Sequence, residues 1–151
     1  MTVEKCFFQS EYLQRTIEVI HDGNIVYSVK FIDKVSHLEN TDDCPVMDEL
    51  ERYFSREQMD LSQFDLKPTG TNFQKKVWEI TRKIPYGKTR TYKDIAHTLG
   101  IKGYRAVGRA LGRNPIPILI PCHRVKGVNS IGGYSSGIDI KKKLLALEGV
   151  L

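Results

Sequence analysis

No apolar run in this sequence reaches the ~20 residues that a helix needs to span a bilayer, so a membrane protein is not expected. The first residues, MTVEKCFFQSEY, lack the basic-then-apolar order of a secretory leader. Cysteine is scarce: Cys6, Cys44 and Cys122 form no C-x-x-C pair, which excludes a zinc ribbon. Three widely spaced cysteines also make a poor disulfide framework. Cys6, His21, His37 and Cys44 match no ligand spacing, so no metal is expected. The chain of 151 residues has room for one compact domain or two small ones, and a soluble, cytoplasmic protein is the expectation.

Acid is nearly absent from the second half. Residues 1–67 hold seven Lys/Arg and fourteen Asp/Glu, a balance of −7, whereas residues 68–151 hold sixteen and four, a balance of +12. The split predicts two modules, 1–67 and 68–151, the second of them meeting a polyanion. A solvated lysine-rich surface is the plainer account, and it suits Lys141, Lys142 and Lys143.

The first module reads as α+β. TIEVIHDGNIVYSVKFI alternates apolar and polar residues on both sides of an Asp-Gly turn, the pattern of a hairpin over 16–32, and a further strand is expected over 3–8. PVMDELERYFSR (45–56) reads as a helix with Val46, Leu50, Tyr53 and Phe54 on one face. LSQFDLKPTGTN (61–72) reads as a linker.

The second module reads as mainly helical. Phe73, Val77, Trp78, Ile80 and Ile84 fall at helical spacing, and PYG ends that helix. TYKDIAHTLG (91–100), closed by Gly100, and YRAVGRALGRN (104–114) form a helix-turn-helix whose second helix is the recognition helix. That helix aligns Arg105, Arg109 and Arg113 on one face. Ala106, Gly108, Ala110 and Gly112 are interleaved with them, small enough to admit close approach to a groove or to a neighbouring helix. Three prolines force NPIPILIPCHRV to run extended. IDIKKKLLALEG (138–149) closes the chain as a helix with Ile140, Leu144, Leu145 and Leu147 inward.

Cys122 poses the chemical question. A lone cysteine after ILIP is an apolar packing residue by default. Against that, His123 and Arg124 follow it in a basic module, where a thiol can become a thiolate. Neighbours on an extended strand point to opposite faces, so His123 can reach Cys122 only across a tight bend or through a water. A histidine base also wants a carboxylate on its far nitrogen. Of the four acids, Glu79 faces the surface, Asp94 sits in the first helix of the helix-turn-helix and Asp139 reads as a helix cap. That leaves Glu148 as the preferred partner.

The segments GTNFQKKVW, IPYGKTRTY, YRAVGRALGRNPIPILIPCHRV, GGYSSG and KKLLALEG together resemble the active domain of the O6-alkylguanine-DNA alkyltransferases. The resemblance covers about the last 80 residues. It implies an α+β fold in which a small N-terminal strand-and-helix support domain precedes a winged-helix-like DNA-binding domain. It also implies single-turnover transfer of an alkyl group from O6-alkylguanine, and from O4-alkylthymine, to Cys122. His123 would deprotonate the thiol through a water and Glu148 would orient His123. Tyr92 and Asn114 complete the catalytic set. Tyr92, Lys93, Arg105, Ala106, Gly108 and Arg109 would meet the minor groove, with Arg105 filling the gap left by a flipped nucleotide. Val125, Tyr134 and Ser135 would frame the base. No cofactor, membrane or obligate protein partner is implied, and the partner is double-stranded DNA carrying O6-alkylguanine. Tyr104 and Arg109 depart from the family pattern, standing where small residues are usual. The competing readings are a non-catalytic alkylated-DNA binding protein, a transcription regulator and a cysteine hydrolase.

Overall fold

A computed structural model describes residues 3–35, 44–57 and 59–151, so His37 lies outside the described residues. The fold is α+β, and the chain divides into two compact units, Met1–Thr69 and Gly70–Leu151. Among the described residues no helix is long and apolar enough to cross a membrane.

In the first unit, β1 (Glu4–Ser10), β2 (Arg15–Asp22) and β3 (Ile25–Ile32) form an antiparallel meander. The β2–β3 hairpin turns at Gly23, whose φ of 59° suits a residue without a Cβ. Alternation buries Ile17, Val19, Val26 and Val29 on one face. Helix α1 (Pro45–Phe54) starts at Pro45 and buries Val46, Leu50 and Tyr53. Two expectations are corrected here. The stretch expected to be a linker begins with a 3-10 turn, Leu61–Gln63, and a short strand, β4 (Asp65–Leu66), parallel to β3. Cys6 and Cys44 form a disulfide, leaving Cys122 as the free cysteine. Cys6 lies on β1 and Cys44 caps α1, so tertiary packing joins cysteines whose spacing gives no sign of pairing.

The second unit packs α2 (Asn72–Arg82), α3 (Tyr92–Leu99), α4 (Tyr104–Gly112) and α5 (Ile138–Leu147), with a two-stranded parallel ribbon of β5 (Arg90–Thr91) and β6 (Val125–Lys126). Thr71 and Gln74 form a capping box on α2, and Thr91 and Asp94 form one on α3. Asp94 therefore has a structural task. Gly100, at φ 71°, ends α3 and starts the turn into α4. Trp78 is 1% exposed, and its indole N–H donates to the Ala110 carbonyl at 2.8 Å, tying α2 to α4. Phe73, in the first turn of α2, is exposed, whereas Val77 and Trp78 are buried. Asp139 is not the cap of α5: Gly137 is, and Asp139 lies inside the first turn.

Candidate active site

Cys122, His123 and Arg124 make one turn of 3-10 helix, where an extended path was expected. Pro121 supplies the carbonyl that the Arg124 N–H bonds at 2.9 Å. This is the tight bend that places consecutive side chains on one structure rather than on opposite faces of a strand. All three side chains are buried.

Behind the turn, Glu148 caps α5 and holds two of them. His123 Nε2 donates to Glu148 Oε2 at 2.6 Å, and both side chains are fully buried. Arg124 donates to both carboxylate oxygens, at 2.7 and 3.1 Å, and to the Ile84 carbonyl at 2.8 Å. The Gly87 N–H adds a bond to Glu148 Oε1 at 3.1 Å. These donors hold the Glu148 carboxyl down to about 2, against the opposing effect of burial. Burial lowers the His123 pKa more than Glu148 raises it, so the imidazole is neutral beside an ionised Glu148 whose charge Arg124 balances. With its proton on Nε2, the lone pair of His123 lies on Nδ1. That atom is buried and has no protein hydrogen-bond partner.

Cys122 faces the other way, into a cavity of about 400 Å³ lined by Tyr92, Gly108, Leu111, Gly112, Cys122, Gly133, Tyr134 and Ser135. Burial raises the thiol pKa, while the neighbouring Asn114 and Tyr134 side chains and the charge of Lys141 work against that rise. Asn114 also donates to the Ile120 carbonyl at 2.8 Å and accepts from the Ile116 N–H at 2.9 Å, so it joins the end of α4 to the segment that carries the cysteine. Burial likewise raises the Tyr92 phenol, which keeps its proton at neutral pH. A side chain at Gly132 would collide with the Tyr92 hydroxyl, so glycine there lets the loop close over the ring.

Cys122, Tyr92, Gly108, Tyr134 and Ser135 therefore share one cavity, with His123 and Glu148 behind the thiol. Val125 is buried on β6 beside that turn and does not line the cavity. Arg105, Arg109 and Arg113 are exposed along α4, and Ala106 is half-buried on the same helix. Lys93 is exposed, with its ammonium 5.7 Å from the centre of the Tyr104 ring, and the two residues border a smaller hollow of about 180 Å³ that shares Tyr92 with the main cavity.

Three features escaped sequence reasoning. Arg124 is the second side chain that donates to Glu148, and the cation that balances it. Tyr86 donates to the Leu147 carbonyl at 3.1 Å and underlies Arg124, which lies 5.8 Å from its ring centre. Lys141 is not solvated: it is fully buried. Its position was readable, because Lys141, Leu144, Leu145 and Glu148 fall on one helical stripe. Away from this site, Cys6, His21 and Cys44 are buried with ligand atoms within 4.8 Å of one another, the one group among the described residues with metal-binding donors. With the two sulfurs joined, His21 is its only remaining donor.

Residues 72–150 match the family profile described as the DNA binding domain of 6-O-methylguanine DNA methyltransferase. The chain is 55% identical over 105 residues to a methylated-DNA–protein-cysteine methyltransferase of Methanosarcina acetivorans, covering 67% of this chain and 65% of that protein. The matched stretch thus spans just under two thirds of that relative. A probable methylated-DNA–protein-cysteine methyltransferase of Acanthamoeba polyphaga mimivirus is 42% identical over 137 residues, covering 87% of this chain and 89% of its own length. Among solved structures, Mycobacterium tuberculosis OGT in complex with DNA superposes with a TM-score of 0.81 at 33% identity, covering 96% of this chain and 92% of that one.

Proposed function

This chain belongs to the methylated-DNA–protein-cysteine methyltransferase family, and from that premise we propose that it repairs DNA by taking the alkyl group of O6-alkylguanine onto Cys122. The observation that carries the proposal is the buried 2.6 Å bond between His123 and Glu148 directly behind a cysteine that lines a cavity. A neutral imidazole with its lone pair on Nδ1 is the protonation state a general base requires. The thiol proton passes to Nδ1 through a water, and Glu148 stabilises the imidazolium that forms. The sulfur attacks the alkyl carbon, the S–C bond forms as the C–O6 bond breaks, and the bonding pair stays on oxygen. Guanine then leaves after gaining one proton from the Tyr92 phenol, a role supported by the place of that residue in the cavity lining. The product is a thioether. Nothing in the site can cleave it, so each chain acts once. O4-alkylthymine carries its alkyl group in the same kind of O-alkyl linkage and is included as a substrate.

The exposed arginines of α4 and the excess of cations in 68–151 support a DNA partner. Small residues at Ala106 and Gly108 support close approach of α4 to a groove, with Arg105 entering the stack as the nucleotide is flipped. Extrusion costs a few kcal/mol, least at a damaged pair. The test is methyl transfer from labelled DNA to the wild type and to Cys122→Ser. The variant should bind the DNA and take up no label. Label retained by Cys122→Ser at near the wild-type level contradicts the proposal.

A further inference from the structure

Tyr86, in the turn that follows α2, takes no part in the mechanism above. Residues 85–88 close that turn, with the Lys88 N–H donating to the Pro85 carbonyl at 3.1 Å. Gly87 has a φ of 77° at its third position, where glycine is favoured, and a side chain there would press on the Glu148 carbonyl at 3.3 Å. The segment meets the Arg124–Glu148 pair from three residues. The Ile84 carbonyl accepts from Arg124 at 2.8 Å, and the Gly87 N–H donates to Glu148 Oε1 at 3.1 Å. Between them, the Tyr86 ring centre lies 5.8 Å from the guanidinium carbon of Arg124, and the Tyr86 hydroxyl donates to the Leu147 carbonyl at 3.1 Å. Tyr86 is itself 40% exposed, whereas the side chains of Arg124 and Glu148 are 9% and 0% exposed. An ion pair acts strongly only where water is kept from it. We propose that Tyr86 is a positioning residue for alkyl transfer, a surface ring that shields the Arg124–Glu148 pair from water and so keeps the carboxylate working on His123.

This assignment rests on the alkyl-transfer reading and adds an outer part to it. Tyr86 does not line the cavity that holds the thiol, so it acts through Arg124 and Glu148. The charged and titratable groups around the carboxylate are His123 and Arg124 from the 3-10 turn and Tyr86 from the turn after α2, while Lys141 of α5 acts on His123. When His123 takes the thiol proton, Glu148 must stabilise the imidazolium. Water admitted beside Arg124 raises the local dielectric and weakens that attraction, which makes His123 a poorer base. The ring also attracts the guanidinium directly, which keeps Arg124 within reach of both carboxylate oxygens.

The test is the rate at which the full chain consumes free O6-benzylguanine, a substrate that needs no nucleotide flipping, measured across pH for the wild type, Tyr86→Ala and Tyr86→Phe. Circular dichroism checks that each is folded. Tyr86→Ala should move the rising limb of the profile to higher pH by about half a unit, a loss of roughly threefold at neutral pH that narrows as pH rises. Tyr86→Phe keeps the ring, gives up the bond to Leu147 and should hold the limb near its wild-type position even if its overall rate is lower. A Tyr86→Ala profile that overlies the wild type, is lowered equally at every pH or moves to lower pH overturns the shielding role. A Tyr86→Phe limb displaced as far as that of Tyr86→Ala assigns the effect to the hydroxyl and overturns the role of the ring. If Tyr86→Ala does not fold, Tyr86→Gln, which keeps bulk without an apolar ring, carries the same expectation and the same contrary results. A wild type that consumes no O6-benzylguanine at any pH overturns the alkyl-transfer reading itself, which separates the two failures.

Discussion

At Glu148 the site turns on a single side chain: His123, Arg124 and the Gly87 N–H all donate to one buried carboxylate. Glu148→Gln keeps the shape and removes the charge, leaving Arg124 unbalanced at a cost of about 3 kcal/mol. The wild-type carboxyl is held at about 2, so its stabilisation is fully present above the unfolded value of ~4.3 and is lost as pH falls through about 2. The depressed His123 acts in the same direction, its contribution present above ~6.5 and fading as pH falls. Melting temperature against pH should therefore fall less steeply for Glu148→Gln than for wild type between about pH 4 and pH 2, from a lower starting value. The same variant should react with O6-benzylguanine along a profile moved to higher pH, and an unmoved profile in a folded variant would reduce Glu148 to a helix-end contact. Cys122, His123 and Glu148 were legible because acids are so few in this half of the chain. Lys141 shares the inward stripe of Leu144, Leu145 and Glu148, but the two further lysines beside it made all three read as solvent-facing.

Helix α4 carries the next prediction. Its sequence already separates two faces: Val107, Ala110 and Leu111 are buried, while Arg105, Arg109 and Arg113 are exposed. Gly108 borders the cavity near the Tyr92 ring, so the helix that would enter a groove also forms a wall of the pocket. Arg105→Ala should slow repair of duplex DNA by roughly tenfold or more, about 1.4 kcal/mol of barrier, with little effect on free O6-benzylguanine. Equal losses on both substrates would place Arg105 in the chemistry or the fold. The helix-turn-helix was readable from apolar spacing and from Gly100. The 3-10 turn at Cys122 was not, because the prolines exclude a long helix without specifying a single turn. Strand β4 is two residues long and exists by pairing with β3, so LSQFDL carries no pattern of its own. The Cys6–Cys44 disulfide likewise joins residues 38 apart that only the folded first unit brings together.

Across the whole chain, charge and chemistry divide in the same way. The excess of cations, the exposed arginine face and the cysteine site belong to the unit Gly70–Leu151, whereas the four-stranded sheet and the disulfide belong to Met1–Thr69. The acidic balance of the first 67 residues makes them an unsuitable surface for a polyanion, so the proposed DNA contact falls to the second unit. The most direct test of the account is the intact mass of the protein before and after incubation with excess duplex DNA containing O6-methylguanine, followed by peptide mapping. The account predicts a gain of one methyl group per chain and no more, located on the peptide containing Cys122, with guanine restored in the DNA. An unchanged mass, a methyl group on any other residue, or more DNA repaired than protein present would contradict it.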